Sequence, residues 1–505
     1  MVHKTEKAKE KDNFDKWLII LFVLAAISVI AYIIFKYPLS GVADQGDFDR
    51  VMFGLSVLDS DANNPDFVRF YKYIVTDYSI NLNLASILLI FSGSTINYLI
   101  FIVICICKLF GQNIFKTQYL AIFYSIIYIF AVSLIIKNIN LKSKFKKIFL
   151  TIVLFFILFD GYYIIWFNSL YGEPTMLTTL LLFIGSYLVY LNSKYGKCED
   201  KNLKIKIAFV FAAAFLFFGS KMQVSTTLPF IIVLLIKIII DNRKKFSKKY
   251  FAFMCCMLAL VIVCPIKMSI QGSAQGKDTL YNSIFYGVLN ESETPEKDLI
   301  DMGLNPDMAC EAGKHAYLNT DEYVKYVPRT QITEDELYSK AGNSTLAKFY
   351  LTHPLRLIKG MEYTADKAFI TSTSLGKHYR SYSEEPVTEF NRFTLWSSFR
   401  ENNFPQKLWF IVVVFIVTIG ITIYEYVKKK DDKLLKNKIF LVWALILAGA
   451  IQFPMPFVGN GRADTAKQLY LFNFIFDLMI AGILCYIVFK FVDIINRKFF
   501  NTKEV

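Results

Sequence analysis

The chain has 505 residues, of which 55% are hydrophobic and only 19% are charged. Several apolar runs approach the ~20 residues that a membrane-spanning helix needs, which excludes an ordinary soluble domain. The formal net charge is +14, yet the lysines cluster in short linkers between apolar runs, the signature of loops held in the cytoplasm, so nucleic acid is not the expected partner. Eight cysteines are scattered without CxxC or Cys/His spacing, which excludes a disulfide framework and a zinc site.

Residues 1–16 carry Lys4, Lys7, Lys9, Lys11 and Lys16 and read as a cytoplasmic tail. The first span, about Trp17–Phe35, has no small-residue cleavage site and reads as an anchor. It is expected to deliver Gly41-Val42-Ala43-Asp44-Gln45-Gly46-Asp47-Phe48-Asp49-Arg50 to the outer side of the cell membrane, a bacterial one by the abundance of Lys, Ile, Asn and Phe that fits an AT-rich bacterial genome. Charge beside a bilayer is costly, so it tends to pair, to solvate or to work. This stretch is either a solvated loop in which Asp44 or Asp47 caps a helix, or a catalytic carboxylate with a cationic neighbour.

Residues 83–110 are apolar but broken by Ser92-Gly93-Ser94 and Asn97, and the clear span at 119–136 is followed by Lys137, Lys142, Lys144, Lys146 and Lys147. One crossing by 83–110 would place that cluster, and every later basic linker, outside the cell. An even number of crossings is therefore expected, with helices lying on the outer leaflet favoured over a tight hairpin. Further spans are expected near 148–167, 174–191, 205–220, 226–241, 250–269, 406–427, 438–453 and 468–490. The fold class is all-α: a polytopic bundle of about ten spans with juxtamembrane helices and both termini inside. The plan is a tail at 1–16, a catalytic transmembrane module at 17–270 with its first outer loop at 37–118, an extracytoplasmic domain at 271–405, C-terminal spans at 406–490 and a tail at 491–505. Segment 271–405 is too long for a structureless connector and reads as mainly helical, with a helix-like stretch at Leu346–Ile370 and turn signals at Asn305-Pro306 and His353-Pro354.

On this topology the polar motifs converge on one side. Asp47 is the favoured general base, with Asp49 in reserve; alternatively the two hold a divalent cation such as magnesium or manganese. Glu173 precedes Pro174 and is either a helix-start acid or a catalytic one. Lys221 is a snorkelling lysine or a point charge for phosphate. Arg462, Asp464 and Lys467 lie in the glycine-rich loop that opens the last span. They make either a phosphate cradle together with Arg50 and Lys221, or an Arg462–Asp464 pair that ties down the loop. Tyr162, Tyr163, Trp166 and Tyr171 mark an interface belt whose faces also suit sugar rings. Tyr171, Gln223, His378 and Asp464 are the candidate sugar or acceptor contacts, and Asp160 is read as a structural acid. No Walker loop, GxSxG or HExxH occurs.

The order of these motifs resembles the GT-C superfamily of membrane glycosyltransferases, which includes aminoarabinose transferases and protein O-mannosyltransferases. The resemblance rests on Asp47 after the first span, Leu109-Phe110-Gly111-Gln112-Asn113 before the second, Glu173-Pro174, and Lys221 ahead of a span with Pro229. Gly46-Asp47-Phe48-x-Arg50 and Lys467-x-Leu469-x-Leu471-Phe472-Asn473 also look like bacterial surface-glycan hexosyltransferases. Together these cover about residues 17–240 and 440–480. The resemblance implies a sugar donor on a polyprenyl phosphate, a membrane lipid, and a cell-wall or surface-glycan acceptor outside the cytoplasm. Segment 271–405 departs from the aminoarabinose and O-mannosyl enzymes, so acceptor identity does not carry over. A transporter or flippase of a lipid-linked glycan is the alternative, and a partner-binding scaffold a third reading.

Overall fold

In a bilayer, backbone polar groups have no water to turn to, so a long apolar run satisfies them internally as a helix. The computed structural model describes residues 2–48, 51, 58–59, 71–84, 94–196, 202–271 and 273–500. The helices of the N-terminal half are α1 (Val2–Ile30, continued by a π-helical turn over Ala31–Phe35), α2 (Ile96–Leu109), α3 (Thr117–Asn138), α4 (Lys144–Leu158), α5 (Gly161–Ile164), α6 (Glu173–Tyr195), α7 (Leu203–Phe218), α8 (Leu228–Asn242) and α9 (Lys248–Gln271). The large insertion closes with α10 (Leu395–Asn403), and after it come α11 (Leu408–Lys428), α12 (Lys433–Gln452) and α13 (Tyr470–Phe500).

Among the described residues, eight helices are long and apolar enough to cross a membrane, or nine if the bent pair over Lys144–Leu158 and Gly161–Phe167 is one span. The chain is an all-α polytopic bundle, and the expectation of about ten spans is corrected in two places. The span expected at 148–167 is bent by 56°. The Asp160 carboxylate sits at the bend, accepting from the Tyr162 amide at 3.0 Å and from the Ser397 amide at 3.0 Å. The span expected at 205–220 is the 16-residue α7, about 24 Å long at 1.5 Å per residue and short of a ~30 Å hydrocarbon core. It still runs beside α6 from end to end: Lys221 pairs with Glu173 at one end, and Lys206 Nζ donates to Ser193 Oγ at 2.6 Å at the other.

Helix α6 is the axis of the bundle, buried along almost its whole length against α3, α7, α12 and α13. Helix α1 lies outside, against α3 and α4. Both ends of the 14-residue α2 belong to one end of the bundle. Just before it, the Thr95 amide donates to Gly219 O at 2.7 Å, and Ser94 Oγ donates to Gly219 O and Ser220 O, each at 2.8 Å. Beyond it the chain enters β3 (Ile114–Lys116) and α3, where Thr117 Oγ1 donates to Asn168 Oδ1 at 2.6 Å. β3 closes a small antiparallel sheet with β1 (Leu58–Asp59) and β2 (Asp77–Ile80), in the order β1-β2-β3. Strands this short leave no readable alternation, and none was expected from the sequence.

The 271–405 insertion has its own core of Tyr281, Phe285, Leu299, Met308, Tyr326, Leu337 and Phe349, completed by Phe457 from the C-terminal half. Its expected helix at 346–370 is two helices, Asn343–Thr352 and Pro354–Asp366, divided at His353-Pro354. The insertion docks into the bundle through arginines. Arg392 donates to the carbonyls of Ile33, Lys36 and Pro38 at 3.2, 2.9 and 2.8 Å, which ties residues 33–38 in place below the Asp47 loop.

Candidate functional site

The Asp47 loop is built from its backbone outward. Gly41 and Ala43 donate amide hydrogen bonds to Lys377 O and Gly376 O at 3.0 and 2.9 Å. Tyr171 Oη donates to Ala43 O at 2.9 Å. A Cβ on Gly41 would lie 2.4 Å from Asn168 O, and one on Gly376 would lie 1.7 Å from Lys72 O, so both glycines permit close backbone contact. Asp44 Oδ1 accepts from the amides of Gly46 and Phe48 at 2.7 and 3.1 Å. Asp44 is thus the capping carboxylate of this turn. Phe48 is buried with its ring 4.9 Å from Tyr171, and Asp47 is presented between these anchors.

Asp47 is ion-paired with Lys467. Lys467 Nζ also donates to Gln45 Oε1 at 3.2 Å and stands 4.7 Å above the Tyr171 ring. Burial opposes its charge, but Asp47, Glu173 and Asp464 outweigh burial and hold its pKa above the ordinary lysine value. Gln45 Nε2 donates to Asp464 Oδ1 at 2.8 Å. Glu173 is fully buried at the first turn of α6; its Oε1 accepts from Lys221 Nζ at 2.5 Å, and its Oε2 accepts no hydrogen bond among the described residues. Four distant segments therefore place the alternating charges Asp47, Lys467, Glu173 and Lys221 at one end of the bundle. Gln223 braces the same region, donating to Gln452 Oε1 at 2.8 Å and Gln468 O at 2.6 Å.

Other candidates stand elsewhere. Arg462 neither joins Lys467 nor pairs with Asp464. Its guanidinium makes a bidentate bridge to the exposed Glu291 at 2.9 and 2.8 Å and lies 4.7 Å from the Tyr363 ring centre. His378 Nδ1 meets Leu39 O at 2.9 Å and the ring packs against Tyr382; burial lowers its pKa from the ordinary histidine value. Asp49 and Arg50 lie outside the described residues. Among the described residues, no group of three or more His, Cys, Asp or Glu is placed to hold a metal ion.

An apolar groove of about 620 Å³ runs between α1 and α3, from Ile19 and Ser133 to Phe35 and Ile122. The Ser125 and Ser133 hydroxyls on its wall are turned to their own helix, donating to Ala121 O and Ile129 O at 2.6 and 2.8 Å. The π-helical turn of α1 contributes Ala31 and Phe35 to the groove and leads directly into the Asp47 loop.

The chain belongs to the YfdI N-terminal transmembrane domain family. The family model matches residues 4–504, nearly the whole chain. No curated protein and no solved structure matches it. The family description agrees with the polytopic bundle.

Three charged groups of this family member lie outside the candidates that the sequence offers. Arg400 and Asp477 form a fully buried pair at 2.5 Å, with Tyr163 Oη donating to the same carboxylate at 2.6 Å. The signal for Asp477 was an acid inside an apolar span; nothing in the sequence marked Arg400. Lys377 is also buried, and its ammonium donates to Thr373 O, Thr373 Oγ1 and Leu375 O at 2.9, 3.1 and 2.5 Å.

Burial pushes the Lys377 pKa down to about 7, against ~10.4 in an unfolded chain. Between those values the unfolded state binds more protons, so stability rises with pH; below about 7 the cost of the buried charge is fully present. Thermal midpoints measured from pH 7 to 9.5 should therefore rise more steeply for wild type than for Lys377→Met. Parallel profiles would remove the buried charge as the cause.

Proposed function

We propose that this protein is a glycosyltransferase that moves a sugar from a polyprenyl-phosphate donor to a cell-wall or surface-glycan acceptor outside the cytoplasm of a bacterial cell. The observation that carries the reading is the Asp47–Lys467 pair beside Glu173 and Lys221, assembled where the first span ends. A lipid-linked donor enters sideways from the bilayer with its phosphate at headgroup depth, so its cationic partners belong at a bundle end. The groove between α1 and α3 offers an aliphatic wall to a lipid chain.

The chemistry is a direct displacement with inversion. The acceptor hydroxyl attacks the anomeric carbon, Asp47 takes its proton, and the bond to the phosphate oxygen breaks. The lipid phosphate leaves with the bonding electrons, and Lys467 and Lys221 neutralise the charge it gains. For Lys467 to serve the phosphate it has to turn from Asp47, which frees the carboxylate to act as base. Arg462 stands apart from this cluster, bridged to Glu291, and is a weaker candidate for the phosphate than Lys467.

Sealed right-side-out vesicles holding the protein, with a panel of polyprenyl-phosphate sugars in the bilayer, test the reading and its sidedness together. Transfer to a glycan acceptor supplied outside is expected, with none from inverted vesicles. Transfer confined to inverted vesicles would overturn the topology. Movement of the intact donor lipid between leaflets without transfer would favour the flippase.

A further inference from the structure

Two tyrosines near Asp47 are exposed although their backbones are firmly held. Tyr71 is 54% exposed and Tyr317 is 58% exposed. Single exposed aromatics are ordinary, but hydrogen bonds tie the backbone at each of these to one of the two loops that carry Asp47 and Lys467, from different parts of the fold. The Tyr71 amide donates to Asp44 O at 2.8 Å, its carbonyl accepts from the Gly376 amide at 2.7 Å, and its φ of 62° lies in the left-handed region. A residue other than glycine keeps that conformation only where its surroundings impose it.

Tyr317 comes from the 271–405 insertion. The preceding Ala316 amide donates to Asn282 Oδ1 at 2.7 Å, and Asn282 Nδ2 donates to Asn460 Oδ1 at 2.8 Å. Asn460 Nδ2 in turn donates to Ala463 O at 3.0 Å, next to Asp464. The His315 ring stands 5.9 Å from Tyr317 and supports it. Asp464 is joined through Gln45 to Lys467, and Lys467 to Asp47. Both phenols feel these acids. Partial burial, then Asp464, with Asp44 and Asp47 adding, raises the Tyr71 pKa; burial, then Asp278 and Asp464, with Asp47 adding, pushes that of Tyr317 up to about 12.

We infer that Tyr71 and Tyr317 form a subsite for a sugar ring of the acceptor glycan, beside the base Asp47. This rests on the glycosyltransferase reading. A pyranose presents a C–H face that suits an aromatic face and hydroxyls that donate to carboxylate and amide oxygens. Tyr71 and Tyr317 offer the first surface, and Asp464 and Gln45 offer the second. The large insertion thereby acquires a task, supplying one wall of the acceptor site.

The test uses the full chain in lipid nanodiscs. The probes are soluble trisaccharides of glucose, galactose, rhamnose and N-acetylglucosamine, followed by saturation-transfer NMR. Both side chains are exposed, so Tyr71→Ala and Tyr317→Ala should keep the wild-type unfolding midpoint. Each should weaken binding of the saccharide that wild type prefers by about tenfold, while Tyr→Phe at either site keeps it. In transfer assays the acceptor KM should rise by a similar factor with kcat within about twofold. Wild-type affinity and KM in both Ala variants, or Phe variants as weak as Ala, would overturn the subsite. Saccharide binding that depends on these rings, in a protein that transfers from no polyprenyl-phosphate sugar, would uphold the subsite and sink the transferase reading.

Discussion

Asp47→Asn is expected to lower sugar transfer by about 10²–10⁴-fold, the usual worth of a positioned general base, with donor-lipid binding nearly unchanged and a smaller effect on stability, because Glu173 and Asp464 still offset the burial of Lys467. The amide keeps the shape and still accepts from Lys467, but it takes no proton at neutral pH. The neighbouring acid gives the contrast. Asp44 spends one oxygen on the amides of Gly46 and Phe48, so Asp44→Ala should act by loosening the loop, with a loss of stability of about 0.5–2 kcal/mol. Single-turnover rates and unfolding midpoints on both variants separate the two roles. Near-normal turnover by Asp47→Asn would remove it as the base, and turnover losses that follow stability in both variants would make the whole stretch structural.

Arg400→Met should destabilise the protein by about 3–5 kcal/mol, because it leaves Asp477 charged and unpaired in the core. All three nitrogens of the Arg400 guanidinium donate hydrogen bonds. It bonds Asp477 Oδ2 at 2.5 Å, Tyr163 Oη at 2.7 Å, Thr371 Oγ1 at 2.7 Å and Phe369 O at 3.1 Å. These partners belong to the last span, the turn after the bend and the insertion, so the pair joins three parts of the chain. Adding Asp477→Leu should recover much of the loss, since a buried pair replaced by apolar groups is often near neutral. Unfolding in detergent or nanodiscs measures both. An Arg400→Met variant as stable as wild type would show that the pair does not hold the insertion to the bundle.

Apolar length was enough to read a helical membrane bundle from the sequence, because one chain segment satisfies its own backbone and needs no partner. The same local logic places Glu173 and Pro174 at a helix start, where the structure puts them. It also divides the chain at His353-Pro354, since proline cannot continue the preceding helix and restricts the residue before it. Asp44 as a capping acid was one of the two readings open for its stretch.

Which charge meets which was decided only by tertiary packing. Asp47 and Lys467 are 420 residues apart, and Arg400 and Asp477 are 77 apart. Arg462 turns from the nearby Asp464 to Glu291, 171 residues away. A sequence shows that a lysine ends a span or opens a loop; the direction its side chain faces depends on how the helices pack around α6. The bend at Asp160 and the shortness of α7 have the same origin. The first needs the Ser397 amide from the insertion, and the second is allowed because α7 lies sheltered against α6 along its length. Neither partner is local to the segment that it shapes.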